Sequence, residues 1–332
     1  MTPPRPSPTS RILALGAPPT WVDAALSSLR KDWDVEEGMR TWTSEWPDFE
    51  EGAHLIPPDV FSALLVFDAL PKQLLSPVFR QSFRDYFTRN HHPSGLNYFF
   101  VDRALISPGG IAADADTAAM YLTVALEEGL VRRETLGDAL ETLAHNTDSD
   151  GVLQVFLPPR GAREGRRDPV VCANVLSLLY LVEHPGPTRP TEDYLFELLS
   201  RREHAQGSLQ YTLASTVLYF VCRAVFRFGP ERVRARFSEL LAACTLEALR
   251  PRLEGDLDLA MRILVCRQQG LAATEVAHLS RLLRERQSPR GSWALQSLYR
   301  TVRSRLHFGA ESVTTAFVLR ALLGAPDEPP VR

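Results

Sequence analysis

The residues of this chain best suited to chemistry are two aspartates, Asp114 and Asp116, which stand one residue apart where an apolar helical pattern begins. An aromatic tract that includes Tyr98 and Phe99 lies just upstream. Desolvation and a neighbouring carboxylate both raise the pKa of an aspartate, so one member of such a pair can stay protonated. A protonated acid beside aromatic rings suits a reaction that protonates an alkene and stabilises the resulting carbocation.

A simpler interpretation of the same residues is helix capping. Aspartate is a preferred N-cap, and a carboxylate in the first helical turn also gains from the helix dipole. Capping accounts well for one aspartate and less well for the second, so both interpretations stay open. The candidate residues for lining a site are Phe99 and Tyr121, nearest the acids in sequence, with Tyr98 and Phe317, although core packing is the default role of buried aromatics.

The composition is that of an ordinary soluble globular protein, with 45% apolar and 23% charged residues. The net charge of −3 gives no reason to expect a nucleic-acid partner. None of the four cysteines forms a C-x-x-C pair, which favours reduced thiols and a cytoplasmic location. We find no apolar run long enough to span a bilayer and no signal core near the N-terminus, and nothing in the sequence predicts the oligomeric state.

Helical periodicity recurs along the chain, in about twelve segments, and strand alternation is almost absent. Some segments, such as Asp114–Leu126 and Glu311–Leu323, are apolar on most faces and should be buried. The others, such as Pro230–Leu249, are amphipathic and rich in Arg and Glu. The two kinds of segment alternate along the chain, as they would in two concentric rings of helices. An open solenoid of helix pairs is the alternative, but it would leave the apolar helices exposed.

Two segments of the chain, Gln287-Ser-Pro-Arg-Gly291-Ser-Trp293 and Asp114-Ala-Asp116-Thr117-Ala118, resemble motifs of a known family. The first looks like the Q-x3-G-x-W repeat of squalene–hopene cyclases and related class II terpene cyclases. The second resembles their D-x-D-D-T-A acid motif, closest to the D-x-D-T-T form. The resemblance implies an all-α fold, an (α/α)6 toroid with six inner and six outer helices. It also implies that Asp116 donates the proton while Asp114 orients it, and Thr117 is placed to hydrogen-bond either one.

We therefore expect residues 16–325 to form a single α/α-barrel domain of the β-domain type, between a disordered tail at 1–15 and a C-terminal tail at 326–332. The expected function is protonation-initiated cyclisation of a linear isoprenoid, a C15 or C20 prenyl diphosphate or a related polyene. Two departures, Thr117 at the fourth motif position and a single good Q-x3-G-x-W copy, leave a non-catalytic isoprenoid-binding protein as an alternative. Another α/α-barrel enzyme, such as a glycoside-active one using Asp256 or Asp258, is a second alternative.

The loop before Asp168 carries four arginines, among them Arg166 and Arg167. Arginine forks next to a helix N-terminus suit a diphosphate, whereas a charged run is also typical of a solvated loop. No metal-ligand set and no nucleotide-binding motif is recognisable, so we predict no cofactor. Mg²⁺ would enter only with a diphosphate substrate.

Overall fold

The computed structural model describes residues 20–57, 59–91, 114–157, 166–250, 254–302 and 305–324. Its helices, in chain order, are α1 (Thr20–Asp32), α2 (Val60–Ala69), α3 (Pro77–Arg89), α4 (Ala115–Glu127), α5 (Gly137–Ala144), α6 (Pro169–Leu181), α7 (Arg189–Ser200), α8 (Ala214–Cys222), α9 (Glu231–Ala248), α10 (Asp256–Gln269), α11 (Ala273–Glu285) and α12 (Glu311–Leu323). A π-helical turn, Arg223–Phe228, continues α8. Within these ranges no helix is both long and apolar enough to cross a membrane.

The even-numbered helices are buried along nearly their whole length, and the odd-numbered helices lie outside them. Each even-numbered helix packs against the next, and α12 packs against α2, so the six form a closed ring. Helices α2 and α6 show why: their side chains are apolar on almost every face, and such a helix is stable only when surrounded. The outer helices keep an apolar face toward the ring and a charged face toward solvent.

Short strands complete the structure. β1 (Trp33–Asp34) pairs with β2 (Gly38–Met39) in a two-stranded sheet. The second sheet contains β3 (Thr41–Ser44), β4 (His54–Ile56), β5 (Tyr299–Arg300) and β6 (His307–Gly309), all antiparallel, in the order β4-β3-β6-β5. The central pair joins the two ends of the chain, because Trp42 of β3 lies opposite Gly309 of β6.

These sheets make the predicted fold class wrong: the structure is α+β and not an all-α (α/α)6 toroid. The strands are two to four residues long, too short for an alternating pattern to be recognised. Moreover, β3 and β6 pair across more than two hundred and fifty residues of sequence, a partner that no local pattern indicates.

The Q-x3-G-x-W segment, which follows α11, packs against α1 and hydrogen-bonds to it. Gln287 Nε2 donates to the carbonyl of Trp21 in α1 at 2.9 Å and to that of Gly291 at 2.7 Å, and Trp293 Nε1 donates to the carbonyl of Leu283 at 2.6 Å. Gly291 has a φ of +91°, and a Cβ there would stand 2.4 Å from the Ala24 backbone. Only glycine allows α1 to approach this closely, so the motif is structural.

Candidate functional site

Asp114 caps α4. Its backbone is extended, and its Oδ1 accepts a hydrogen bond from the Thr117 amide at 2.7 Å, while Oδ2 accepts one from Thr117 Oγ1 at 3.1 Å. Asp114 therefore acts as a helix cap, and the Thr117 amide and hydroxyl both donate hydrogen bonds to it. Burial nevertheless raises the pKa of Asp114 to about 6, although the bonds from Thr117 oppose the change.

Asp116 lies one residue into α4 and is only 6% exposed. Its Oδ1 accepts a hydrogen bond from Asn174 Nδ2 of α6 at 2.7 Å, and its Oδ2 accepts a short one from the Tyr211 hydroxyl. Burial raises the pKa of Asp116 to about 7; the Asp114 and Asp168 charges add to the rise, and the Tyr211 and Asn174 bonds oppose it. At neutral pH the protein is thus a mixture of two forms. In one, Asp116 is protonated and can donate its proton; in the other, it is a carboxylate that accepts hydrogen bonds from Asn174 and Tyr211.

Tyr211 is positioned by the loop that enters α8. Ser208 Oγ accepts a hydrogen bond from the Tyr211 amide at 2.9 Å and donates to Asp168 Oδ2 at 2.6 Å. Asp168 in turn caps α6, where its Oδ1 accepts from the Val170 amide at 2.9 Å. One hydrogen-bond chain therefore links the N-termini of α6 and α8 to the acid on α4, and fixes the Tyr211 hydroxyl on Asp116.

Aromatic rings of the four-stranded sheet pack beside the hydrogen-bond chain that contains Tyr211. The Tyr299 ring of β5 lies 6.3 Å from the Tyr211 ring and 6.0 Å from the Phe61 ring, and stacks on Phe308 at 5.2 Å. The Arg300 amide donates to the carbonyl of Gln210 at 2.7 Å, which ties the sheet to the loop that carries Tyr211. The sheet therefore covers the end of the ring at which the buried helices begin.

The predicted lining residues have different positions. Phe317 of α12 is buried, and its ring lies 5.1 Å from that of Tyr219 on α8, so it points into the ring. Tyr121 faces the other way: its hydroxyl donates to the carbonyl of Phe87 on α3 at 2.8 Å, and its ring stacks on His91. Packing between α4 and α3 explains Tyr121 without a role at Asp116. Tyr98 and Phe99 lie outside the described residues.

The two described arginines of the predicted diphosphate loop do not form a common anion site. Arg167 makes short ion pairs with Asp148 and Asp150, which satisfy its guanidinium, and the Arg166 carbonyl accepts from the Val155 amide at 2.9 Å while its side chain is exposed. The solvated-loop interpretation suits this geometry better than diphosphate binding.

Other candidate chemistry also has structural explanations. Asp258 pairs with Arg262 at 2.9 Å and Asp256 with Arg286 at 3.1 Å, so neither acid is poised opposite Asp116 as a sugar-cleaving partner. The four cysteines are free and buried. In the described ranges, no three His, Cys, Asp or Glu residues are grouped so that they could hold a metal ion.

Comparison with known proteins finds terpene cyclases. A family model for the sesquiterpene cyclase astC-like C-terminal domain matches residues 50–182. The drimenol cyclase drtB of Aspergillus calidoustus is 26% identical over 234 residues, which cover 69% of this chain but only 41% of that protein. The chain therefore spans about two fifths of the curated relative's length.

Solved structures agree in fold. The type II terpene cyclase MstE from Scytonema, in complex with its substrate geranylgeranyl dihydroxybenzoate, superposes with a TM-score of 0.64 at 16% identity, over 96% of this chain and 98% of that one. A protein from Actinoplanes superposes with a TM-score of 0.67 at 15% identity, over 92% and 98% of the two chains.

The chain resembles the small terpene cyclases of the MstE and AstC type. The likeness to squalene–hopene cyclases expected from the motifs is thereby corrected to the MstE and AstC type, and the fold to the α+β class. Sequence reasoning also missed Asn174 and Tyr211 as the partners of Asp116. A lone asparagine within the apolar run of α6 was the one local signal for the first; Tyr211 is brought to Asp116 only by folding, from ninety-five residues away.

Proposed function

We propose that this protein is a class II terpene cyclase that starts the cyclisation of a linear isoprenoid by protonating an alkene. The observation that carries the proposal is the state of Asp116: buried, with a raised pKa and two hydrogen-bond donors on its carboxyl oxygens. The matches to the astC-like family model and to drimenol cyclase support the reaction class. The substrate proposed is a C15 or C20 prenyl diphosphate or a related polyene.

The chemistry requires two properties of the acid. It must hold a proton in the resting state, although an alkene is a very weak base, and its carboxylate must be stabilised once the proton has left. Burial beside Asp114 provides the first, because it penalises the ionised form of Asp116. Asn174 and Tyr211 provide the second, since their N–H and O–H groups are already aimed at the oxygens on which negative charge develops.

In the proposed step, the Asp116 carboxyl proton is transferred to one carbon of a terminal alkene, and the other carbon becomes a tertiary cation. Further alkenes of the chain attack the cation in turn and close rings. Loss of a proton or capture of water ends the sequence, and Asp116 is reprotonated for the next turnover. Phe317 and Tyr219 present rings inside the helical ring, and the negative faces of such rings stabilise cations.

The proposal is tested with Asp116→Asn. An asparagine amide is nearly the same shape, can accept from Asn174 and can donate to the Tyr211 oxygen, so the fold should persist. Purified wild type and variant are incubated with farnesyl diphosphate, geranylgeranyl diphosphate and squalene, and products are identified by mass spectrometry. We expect cyclic products from the wild type and a loss of at least about a thousandfold in the variant, in the range of an essential proton donor.

Thr142→Val is the control, because Thr142 is a partly exposed residue of the outer helix α5 and its hydroxyl donates to the Asp138 carbonyl of its own helix. It should leave turnover unchanged. Circular dichroism establishes that each variant is folded. Wild-type turnover in folded Asp116→Asn would exclude Asp116 as the acid, and binding of an isoprenoid without any product from the wild type would favour the non-catalytic alternative.

A further inference from the structure

A group of buried charges crosses the ring at the end opposite Asp116. Arg223, in the π-helical turn after α8, makes two bonds of 3.1 Å to the carboxylate of Asp68 on α2. Arg227 donates to Asp68 Oδ1 at 3.1 Å and to Glu127 of α4 at 2.7 Å. Arg320 of α12 donates to the Asp68 carbonyl at 3.2 Å. Since α2 and α8 are not neighbours in the ring, these side chains lie across its interior; we call them the basic cluster.

Carboxylates hold the arginines of the basic cluster in place. Asp68 pairs with both Arg223 and Arg227, Glu127 pairs with Arg227, and Arg223 is only 1% exposed. A counter-charge alone does not satisfy a buried guanidinium, because each of its buried N–H groups also needs a hydrogen-bond acceptor. The donors of these side chains that lack an acceptor therefore indicate where a ligand oxygen would bind.

Three hydrogen-bond donors in this region have no partner within the described residues. They are Arg223 Nη1, Arg227 Nε and the hydroxyl of Tyr219, all buried. Tyr219 lies close enough to Arg227 for the two to interact electrostatically. Both guanidinium groups also lie over the Phe228 ring, with centroid distances of 4.8 and 4.9 Å, so their positions are fixed. Guanidinium N–H groups can only donate, and the partner that would satisfy them is an oxygen with lone pairs.

We propose that Arg223, Arg227 and Tyr219 form the subsite for the anionic head group of the substrate, a phosphate or diphosphate. The inference rests on the proposed function for the isoprenoid part of that substrate. Asp116 and Glu127 lie at opposite ends of α4, about 16 Å apart along the helix axis. That length is comparable to an extended C15 chain. A prenyl diphosphate bound here would place its distal alkene at the acid, with the Tyr219–Phe317 pair between them.

The test measures binding by the full chain to three probes with isothermal titration calorimetry. Farnesyl diphosphate carries the head group and the chain, farnesol carries the chain alone, and inorganic diphosphate carries the head group alone. We expect farnesyl diphosphate to bind at least about tenfold more tightly than farnesol, because charged hydrogen bonds are the stronger ones. Inorganic diphosphate should compete with farnesyl diphosphate for the same site.

Two variants locate the binding. Tyr219→Phe keeps the ring contact with Phe317 and removes only a hydroxyl that has no protein partner, so it should fold normally. It should weaken farnesyl diphosphate about tenfold, the effect of one hydrogen bond to a charged group, and leave farnesol unchanged. Arg227→Gln should weaken farnesyl diphosphate further. Arg281→Gln removes the same charge from an exposed position on the outer helix α11 and should have no effect.

Unchanged affinity for farnesyl diphosphate in folded Tyr219→Phe and Arg227→Gln would overturn the subsite. If Arg227→Gln does not fold, Tyr219→Phe decides alone. Failure of the subsite and failure of the enzyme are separable, because Asp116→Asn should keep the wild-type affinity while making no product. Tight, Tyr219-dependent binding without cyclisation by the wild type would retain the subsite and reject the cyclase. If the wild type cyclises a neutral polyene but binds neither farnesyl diphosphate nor inorganic diphosphate, the cyclase is retained and the subsite is rejected.

Discussion

The raised pKa of Asp116 predicts how both activity and stability depend on pH. With a pKa of about 7, about half of the Asp116 side chains carry a proton at neutral pH. With the ordinary value of 3.8, roughly one in a thousand would do so. The structure therefore increases the population of the acid form several hundredfold. We expect kcat/KM for cyclisation to be constant in mild acid and to fall about tenfold per pH unit above the pKa.

Stability should change in the opposite sense to that of an ordinary salt-bridged aspartate. The folded state binds the Asp116 proton more tightly than the unfolded chain, so the associated stability is fully present below pH about 4 and is lost as the pH rises through about 7. Over a shift of this size the loss is on the order of 4 kcal/mol. Because Asp116→Asn has no charge to bury, its unfolding free energy should not show this loss as the pH rises.

Urea unfolding of both proteins at about pH 4.5 and about pH 8 measures this difference. We expect the variant to gain about 3 kcal/mol relative to the wild type between the two conditions. Because Asp114 is present in both proteins, its own titration largely cancels. A difference in unfolding free energy that does not vary with pH would refute the argument that burial keeps Asp116 protonated, whatever the cyclisation assay shows.

Tyr211→Phe provides an independent check of the sign. The Tyr211 hydroxyl stabilises the carboxylate and so lowers the pKa of Asp116. Its removal should move the alkaline limb of the activity profile to higher pH while lowering the maximal rate, because the acid becomes weaker. A profile that moves to lower pH would contradict the assigned role.

Substitutions at Asp114 and Gly207 separate effects on the chemistry from effects on the fold. Asp114→Asn should keep the α4 cap, since asparagine caps equally well, but shift the Asp116 activity profile to lower pH; Asp114→Ala should also lose about 1 kcal/mol of stability in urea unfolding. An unchanged activity profile in Asp114→Asn, with the loss of stability confined to Asp114→Ala, would mean that Asp114 is a cap and nothing more. Gly207→Ala should lower both the melting temperature and turnover, because a Cβ would stand 2.4 Å from the Thr212 carbonyl oxygen in the loop that positions Tyr211; Gly129→Ala, also at positive φ but with open space around it, should show only the backbone strain of roughly 1 kcal/mol. Equal effects of the two glycine changes on turnover would show that the loop does not hold Tyr211 in place.

Features that depend on residues near one another in sequence could be predicted, and features that depend on distant residues could not. The helices and their division into buried and outer sets follow from periodicity, a local property, and the burial of α2 and α6 follows from their composition. The Asp114 cap was likewise visible locally. The sheets were not, because β3 meets β6 only after the ring has closed. Sequence order and nearness to the acid motif also suggested Tyr121 as a lining residue, whereas its position on the helix turns it toward α3.

The same limitation applies to the charges. The four arginines before Asp168 lie within eight residues of sequence and so predict an anion site, whereas the structure shows Arg167 neutralised by two aspartates. Arg223, Arg227 and Arg320 are separated by up to ninety-seven residues and stand within apolar runs, where each would be taken for an isolated charge. Folding brings them together around Asp68. The two described arginines that are adjacent in sequence therefore do not form a common site, whereas the arginines dispersed in sequence form the buried group.

The two ends of the ring have complementary electrostatics, and this gives a physical reason for the direction in which a substrate would bind. Asp116 lies in the first turn of α4, where unpaired amide groups favour a negative charge, and so the carboxylate left after proton transfer is stabilised. Arg320 and the basic cluster lie near the last turns of α2, α4 and α12, where unpaired carbonyls favour a positive charge. An arginine cluster placed beside Asp116 would instead lower the pKa of the acid and prevent it from holding its proton. Separating the two groups by the length of a helix allows one molecule to contain both an anion-binding site and a proton-bearing acid.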